Sequence, residues 1–176
     1  INSVAILSKD LADKSAEQTS TYLGKLILIA TYIKRYSNLY LLSENNEYIY
    51  AAKLRLCFSE IKQILEELNI NTELVFNISD DKKIKSGFCL YCCRIWEYAI
   101  EFLNFELLEV LFLANSREEG QGEVDFIISI IKANAIKYPG FKTYINNRLE
   151  EEDIKNTYDT SVYETDEGLV IEMKGL

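Results

Sequence analysis

The 176-residue sequence contains no histidine. Because histidine is the usual general base beside a nucleophilic serine or cysteine, no such nucleophile can be assigned here. Proline occurs once and glycine seven times, so few residues interrupt regular structure. With 48% hydrophobic and 27% charged residues, the composition is that of a folded chain, not a disordered one. The sequence therefore predicts a folded protein without the usual histidine base.

Positive charge is also scarce. Lysine and arginine total 19 against 28 acidic residues, which gives a net charge of −9 and a pI near 4.7. Nucleic-acid backbones and anionic membrane surfaces repel such a chain, so we expect neither as a partner. The longest apolar run, Leu26 to Ile33, is far shorter than the roughly 20 residues that span a bilayer. No membrane segment and no signal peptide are expected within this sequence.

Two helices with matching apolar stripes are predicted in the first 71 residues. From about Ser8 to Leu42 there is no proline, and apolar side chains recur every four and three residues. After a break at Ser43 to Asn46, the same spacing continues from Leu54 to Leu68. This pattern predicts an antiparallel helical hairpin.

A hairpin cannot bury both stripes alone, so we expect two copies to pair as a four-helix bundle. The first helix, about 35 residues and about 50 Å long at 1.5 Å per residue, favours this dimer because it exceeds the width of a small domain. The alternative is that the stripes pack on the rest of the same chain. The predicted dimer interface comprises Leu26, Ile29, Ile33, Tyr36, Leu54, Ile61, Ile64 and Leu68.

The pattern of residues 72–176 predicts a second domain that contains both helices and strands. A strand at Glu73 to Ile78 precedes a helix from about Lys82 to Leu103, which is apolar almost all round. Two strand hairpins follow, at 107–131 and 160–174, with a polar loop and one short helix between them. The predicted fold class is α+β, with the hairpin followed by a reduced α/β sandwich whose antiparallel sheet has about four to five strands. The only polar stripe of the long helix comprises Arg94, Glu97, Glu101 and Asn104.

Three of the four cysteines lie on one apolar face of that helix, at Cys89, Cys92 and Cys93. A zinc site would need Cys57 as its fourth ligand. Buried packing is the favoured interpretation, since cysteine behaves as a small hydrophobic residue. The sequence predicts no metal site, and free cysteines fit a reducing cytoplasm.

The order of elements resembles the cytoplasmic core of sensor histidine kinases, whose ATPase domain is of the type shared with gyrase and Hsp90. The segment TYLGKLILIATYIKRYSNLYLL, from Thr21 to Leu42, is similar to a group of kinase-like proteins from Gram-positive bacteria. The resemblance implies a cytoplasmic signalling protein that forms a homodimer, with a response-regulator receiver domain as a candidate partner. Because the chain begins without methionine, it is expected to be the C-terminal part of a larger membrane-associated sensor.

The resemblance also identifies where a nucleotide would bind. The family's helix carries a Glu-x-x-x-Asn motif, and its two residues match Glu97 and Glu101 here. Carboxylate oxygens suit Mg²⁺, but Glu101 in place of asparagine adds negative charge beside the phosphates. The simpler interpretation is a solvated face on which Arg94 pairs with Glu97.

Other parts of the family's chemistry are missing from the sequence. The phosphoacceptor histidine is absent, and so is the Asp-x-Gly-x-Gly loop, because Gly140 is the only glycine between Ile131 and Gly168. The sequence therefore predicts a non-catalytic signalling module, with no catalytic residue and no cofactor. The alternative is an ATP-binding kinase or ATPase that holds Mg²⁺ at Glu97 and Glu101. A third interpretation is a phosphotransfer-like protein that docks a receiver domain without carrying phosphate.

Overall fold

The N-terminal part of the fold is an antiparallel pair of helices. The computed structural model describes residues 16–117, 123–132, 140–151, 158–165 and 168–175. Helix α1 (Ala16–Asn45) is followed by a short strand β1 (Tyr48–Tyr50) and helix α2 (Ala51–Glu67). The predicted start of α1 at Ser8 lies outside the described residues. The hairpin itself is confirmed.

Close packing joins the two helices of this hairpin. Arg35 of α1 forms a bidentate ion pair with Glu60 of α2. Nearer the other end, Gly24 of α1 lies against Leu68, and a Cβ added at Gly24 would overlap that side chain. The absence of a side chain at Gly24 therefore lets α1 approach the end of α2.

A five-stranded sheet forms the second layer. Its strands are β2 (Asn71–Asn77), β4 (Leu107–Ser116), β5 (Val124–Lys132), β6 (Asp159–Glu164) and β7 (Gly168–Gly175), in the order β2-β4-β5-β7-β6. The expected α+β class and strand number are confirmed. The prediction of a wholly antiparallel sheet is wrong for one pair of strands, because β2 runs parallel to β4. Helix α3 (Ser86–Phe102) supplies the crossover connection that a parallel pair needs.

The predicted long helix begins later than expected. Residues Lys83–Lys85 form strand β3, which pairs with β1 in a separate two-stranded sheet. Helix α3 therefore starts at Ser86 instead of Lys82. The short helix expected in the polar loop is present as α4 (Phe141–Glu151).

Helices α2 and α3 both pack on the sheet. Phe58 of α2 contacts Phe112 and Phe126, with ring centroids 4.8 and 4.6 Å apart. Trp96 of α3 contacts Phe112 at 5.0 Å. Helix α2 is thus part of both the hairpin and the α/β layers. The boundary predicted after residue 71 falls between α2 and the sheet on which it packs.

Helix α1 lies outside these layers and is buried on one side only. Leu28 and Leu39 are fully buried against the core. Several other apolar residues of α1 face outward, among them Leu23, Ile27, Ile33 and Tyr40, which are 54%, 43%, 42% and 48% exposed. None of the described helices is both long and apolar enough to cross a membrane.

The four cysteines are all buried and reduced. Cys57 of α2 and Cys93 of α3 have sulfur atoms 3.5 Å apart, which places them at the contact between the two helices. Burial raises the pKa of the Cys89 and Cys92 thiols. These cysteines fill space between α2 and α3, and the described residues contain no group of three or more potential ligands placed to hold a metal ion.

Candidate functional site

The polar stripe of α3 is the site that the sequence singles out. Arg94 and Glu97 are half-buried, whereas Glu101 is exposed. Asn104 lies beyond the end of α3, in a left-handed backbone conformation with φ +47°, and is exposed. The two glutamates are on one face as predicted. Each of them, however, contacts a different neighbouring helix.

Glu97 is bonded to α1 as well as to its own helix. The Tyr32 hydroxyl donates a hydrogen bond to Glu97 Oε2 at 2.6 Å, and Arg94 Nη1 donates to the same oxygen at 3.1 Å. The Arg94 guanidinium also lies 4.6 Å from the centroid of the Tyr36 ring. Burial and the neighbouring Glu97 carboxylate raise the pKa of Tyr32, so its proton stays on the phenol. The cluster therefore fastens α1 to α3.

Glu101 is bonded to α4 in a similar way. The Tyr144 hydroxyl donates to Glu101 Oε2 at 2.8 Å, and Arg148 Nη2 lies 3.5 Å from the same atom. Burial, together with Glu101, raises the pKa of Tyr144. Phe102 supports the arrangement because its ring packs on Phe141 and Tyr144. A tyrosine and an arginine thus meet each of the two glutamates.

The start of α4 is occupied by a carboxylate of the same chain. The N-terminus of a helix exposes backbone N–H groups that readily bind anions such as phosphate. Here the backbone N–H of Lys142 donates to Glu164 Oε1 of β6 at 3.1 Å. The carboxylates of Glu97 and Glu101 and the backbone N–H of Lys142 are therefore bonded within the chain.

These contacts determine what Glu97 and Glu101 can do chemically. A carboxylate that accepts from a phenol and an arginine has fewer lone pairs for Mg²⁺, and its charge is already compensated. A hard cation at this face would have to displace Arg94 or Arg148. The geometry favours a structural joint over an acid–base pair.

The residues predicted for the dimer interface fall into three groups. Leu54 and Ile61 have no exposed surface, so in this conformation neither can contact a second copy. Ile33 is exposed. The others are half-buried: Leu26, Ile29, Tyr36, Ile64 and Leu68.

Sequence patterns missed Tyr32, Tyr144 and Arg148 as partners of the glutamates. Tyr32 lies between two residues of the apolar stripe and matches no motif. Tyr144 and Arg148 lie in the short helix expected in the polar loop, which the sequence did not assign to particular residues. Their spacing of four residues, one helical turn, was the signal available.

Solved structures, but no family model, resemble this chain. No protein-family model matches the sequence, and no curated protein is detectably similar to it. Among solved structures, the histidine kinase domain of a blue-light activated kinase from Erythrobacter litoralis aligns with a TM-score of 0.54 and 8% identity, over 84% of this chain and 74% of that one. The fold is histidine kinase-like.

Two other structures give the same result. A bacterial phosphotransferase aligns with a TM-score of 0.53 and 9% identity, over 98% of this chain and 84% of its own. A longer form of the Erythrobacter litoralis kinase has a TM-score of 0.52 and 10% identity, and the alignment covers 93% of this chain and 63% of that one. At such identities the likeness concerns the fold and no more than the fold.

Proposed function

We propose that this chain is a non-catalytic signalling module that acts through protein contacts on a histidine kinase-like fold. The proposal depends on how the two glutamates of α3 are bonded. Glu97 accepts from a tyrosine of α1 and from an arginine, and Glu101 contacts a tyrosine and an arginine of α4. A face of this kind stabilises the packing of helices. Its carboxylates are already bonded, so they are poorly placed to bind the Mg²⁺ of a nucleotide.

The sequence supports the same proposal in two further ways. Only residues 133–140 connect β5 to α4, and Gly140 is the one glycine among them. A phosphate-binding loop needs several glycines for close approach of the backbone. The absence of histidine removes the usual phosphoacceptor as well.

Calorimetry with Mg-ATP at millimolar concentration tests the proposal against the kinase or ATPase alternative. We expect no binding heat from the wild-type chain. An affinity better than about 100 μM, abolished by Glu101→Ala but kept in Glu73→Ala, would establish the alternative. Glu73 is the control because it is an exposed acidic residue on β2, away from the α3 face.

We also propose that the module dimerises through α1. The heptad-type spacing from Tyr22 to Tyr40 is typical of helices that pair, and α1 exposes apolar side chains at Leu23, Ile27, Ile33 and Tyr40. A second copy presents the same stripe, so the surface is self-complementary. Leu26, Ile29 and Ile33 are the predicted interface residues that remain accessible on α1. On this basis, α1 is the dimerisation arm and the ATPase-like unit begins at β1.

A receiver domain of a response regulator is the second partner that we propose. The observation in its favour is that the likeness to a phosphotransferase covers 98% of the chain, helix α1 included. A phosphotransfer-like protein without histidine would dock such a domain and leave its phosphate in place. Binding of purified receiver domains to the immobilised chain tests this, and no binding by any of them would exclude it. We place the module in the cytoplasm.

A further inference from the structure

The five-stranded sheet carries apolar residues on both of its faces. Helices α2 and α3 cover the face that carries Phe112 and Phe126, and α1 and α4 pack on these helices from the same side. Because side chains alternate along a strand, the residues next to these phenylalanines point away from the described helices. The near-continuous apolar runs VLFLA (110–114) in β4 and FIISII (126–131) in β5 are typical of strands that are covered on both faces.

Strand register brings the outward apolar residues together. On the neighbouring strands β4 and β5, Leu111 is level with Ser129, and Leu113 is level with Ile127. Ile131 is 36% exposed, and the other apolar members of the group are half-buried. We call the group the outer face, and it comprises Val75, Leu111, Leu113, Ile127, Ile131 and Val170.

Two carboxylates without a partner flank the outer face. Within the described part of the chain, neither Glu73 of β2 nor Glu172 of β7 has a hydrogen bond or an ion pair. The other charged residues and the asparagines on this side of the sheet are bonded in pairs: Asn71 with Glu109, Asn77 with Asn115, Asp125 with Arg117, and Asp159 with Lys174. The uncompensated charge beside the outer face is therefore negative.

The spacing of these two carboxylates matches the width of an α-helix. Strands β4 and β5 lie between Glu73 and Glu172, so about 14 Å separates the two residues across the sheet, at about 4.8 Å per strand. A helix with its side chains is about 10–12 Å across. The outer face extends for about 20 Å along β4, from Glu109 to Asn115, which is the length of about 13 helical residues. A helix laid along the strands would therefore cover the apolar residues and have one carboxylate on each flank.

The negative charge makes a second copy of this chain a poor occupant. Two outer faces laid together would bring Glu73 and Glu172 of both copies into one interface, where like charges repel one another. Basic side chains on a different protein would compensate both carboxylates. The charge of the outer face therefore favours a basic partner.

We propose that the outer face binds an amphipathic, basic helix of another protein. Apolar residues of that helix, at positions i, i+3, i+4 and i+7, would pack on Leu111, Leu113 and Ile127. A lysine or arginine on each flank of the helix would pair with Glu73 or Glu172. The inference rests on the proposed role as a protein-contact module and names the surface and the chemistry of one contact.

Selection from a library of displayed random peptides, each about four helical turns long, tests this on the full chain. We expect the enriched peptides to carry apolar residues at i, i+3, i+4 and i+7, with lysine or arginine on both flanks. Glu73→Lys together with Glu172→Lys should weaken their binding at least about tenfold and, in a second selection, enrich acidic peptides instead. Leu113→Ala should weaken the binding at least about fivefold, because it removes apolar contact area at the centre of the face.

Matched variants distinguish the outer face from a general attraction of basic peptides to a chain of charge −9. Glu44→Lys together with Glu47→Lys makes the same change of charge at exposed positions near the end of α1, and Leu56→Ala truncates an exposed leucine of α2. Both controls should bind the peptides as the wild type does. Equal losses in the controls and in the variants of the outer face would overturn the proposal. So would failure to enrich any peptide, or enriched peptides whose apolar residues alternate as in a strand.

The same variants separate this inference from the proposed function. If Leu113→Ala abolishes self-association, a second copy occupies the outer face and the proposal is wrong. Peptide binding should persist unchanged in a variant with Ile27→Asp and Ile33→Asp, which alters only exposed positions of α1. A positive result for Mg-ATP would contradict the non-catalytic role and leave the peptide result standing.

Discussion

Helices α1 and α2 carry the same apolar spacing but differ in what covers it. On α2, Leu54 and Ile61 are completely buried because the sheet and α3 lie against them. On α1, Ile33 is 42% exposed at an equivalent place in the pattern. The spacing therefore predicts a helix with one apolar face. Whether that face is buried within the same chain depends on which layers pack against it.

The comparison also shows why α2 cannot be assigned to a separate helical domain. Phe58 packs on two phenylalanines of the sheet, so removal of α2 would expose the centre of the α/β layers. Helix α1 contacts those layers chiefly through one side. The dimerisation arm that we propose is therefore α1 alone.

The two helices should differ most in the loss of unfolding free energy when an aspartate replaces an isoleucine of the apolar stripe. Ile61→Asp in α2 should destabilise the chain by at least about 3 kcal/mol, because an unpaired carboxylate would be buried without solvent or a cation. Ile33→Asp in α1 should change the unfolding free energy of the monomer by less than about 0.5 kcal/mol. Urea unfolding at low protein concentration measures both. Equal losses would show that α1 is covered in the monomer.

The joint between α1 and α3 should have a smaller effect. Tyr32→Phe removes one hydrogen bond to a charged acceptor and leaves Arg94 beside Glu97, so we expect a loss of about 1–2 kcal/mol. Tyr163→Phe, at an exposed position on β6, is the control and should be nearly neutral. If the two substitutions have the same effect in urea unfolding, the Tyr32 cluster does not hold α1 in place.

Alkaline pH offers a second way to probe this joint. Burial and Glu97 raise the pKa of Tyr32 above its ordinary value of 10.0 in the folded chain. The unfolded tyrosine therefore loses its proton first, and this contribution to stability is complete below pH 10 and declines as the pH rises above it. We expect the urea midpoint to fall less steeply above pH 10 in Tyr32→Phe than in the wild type. Parallel curves would contradict the assignment.

The contact between α3 and α4 should show the smallest effect. Tyr144 and Glu101 meet near the surface, where solvent competes for the hydrogen bond. Tyr144→Phe should therefore cost less than about 1 kcal/mol in urea unfolding. A loss larger than that of Tyr32→Phe would reverse the proposed order of the two clusters.

Local patterns in the sequence were sufficient for most elements of the fold. Alternating apolar residues such as Val124, Phe126 and Ile128 identified β5, and the four-and-three spacing identified α1 and α2. The parallel pairing of β2 with β4 was missed, because strand direction depends on a crossover and not on any pattern within the strand.

The candidate site was predictable only in part. Glu97 and Glu101 were identified from their spacing on one face of α3. Their partners Tyr32 and Tyr144 lie 65 and 43 residues away along the chain, and nothing local connects them to the glutamates. The burial of Leu54 and Ile61 was likewise hidden, because a dimer interface and a core produce the same apolar stripe.

Multi-angle light scattering of the wild-type chain and of the Ile27→Asp, Ile33→Asp variant tests most directly whether α1 pairs with a second copy. We predict a mass of twice 20.4 kDa for the wild type at high concentration and of 20.4 kDa for the variant, with circular dichroism unchanged. Leu108→Asp, on β4, should remain dimeric. A wild-type chain that stays monomeric, or a variant that stays dimeric, would contradict the account.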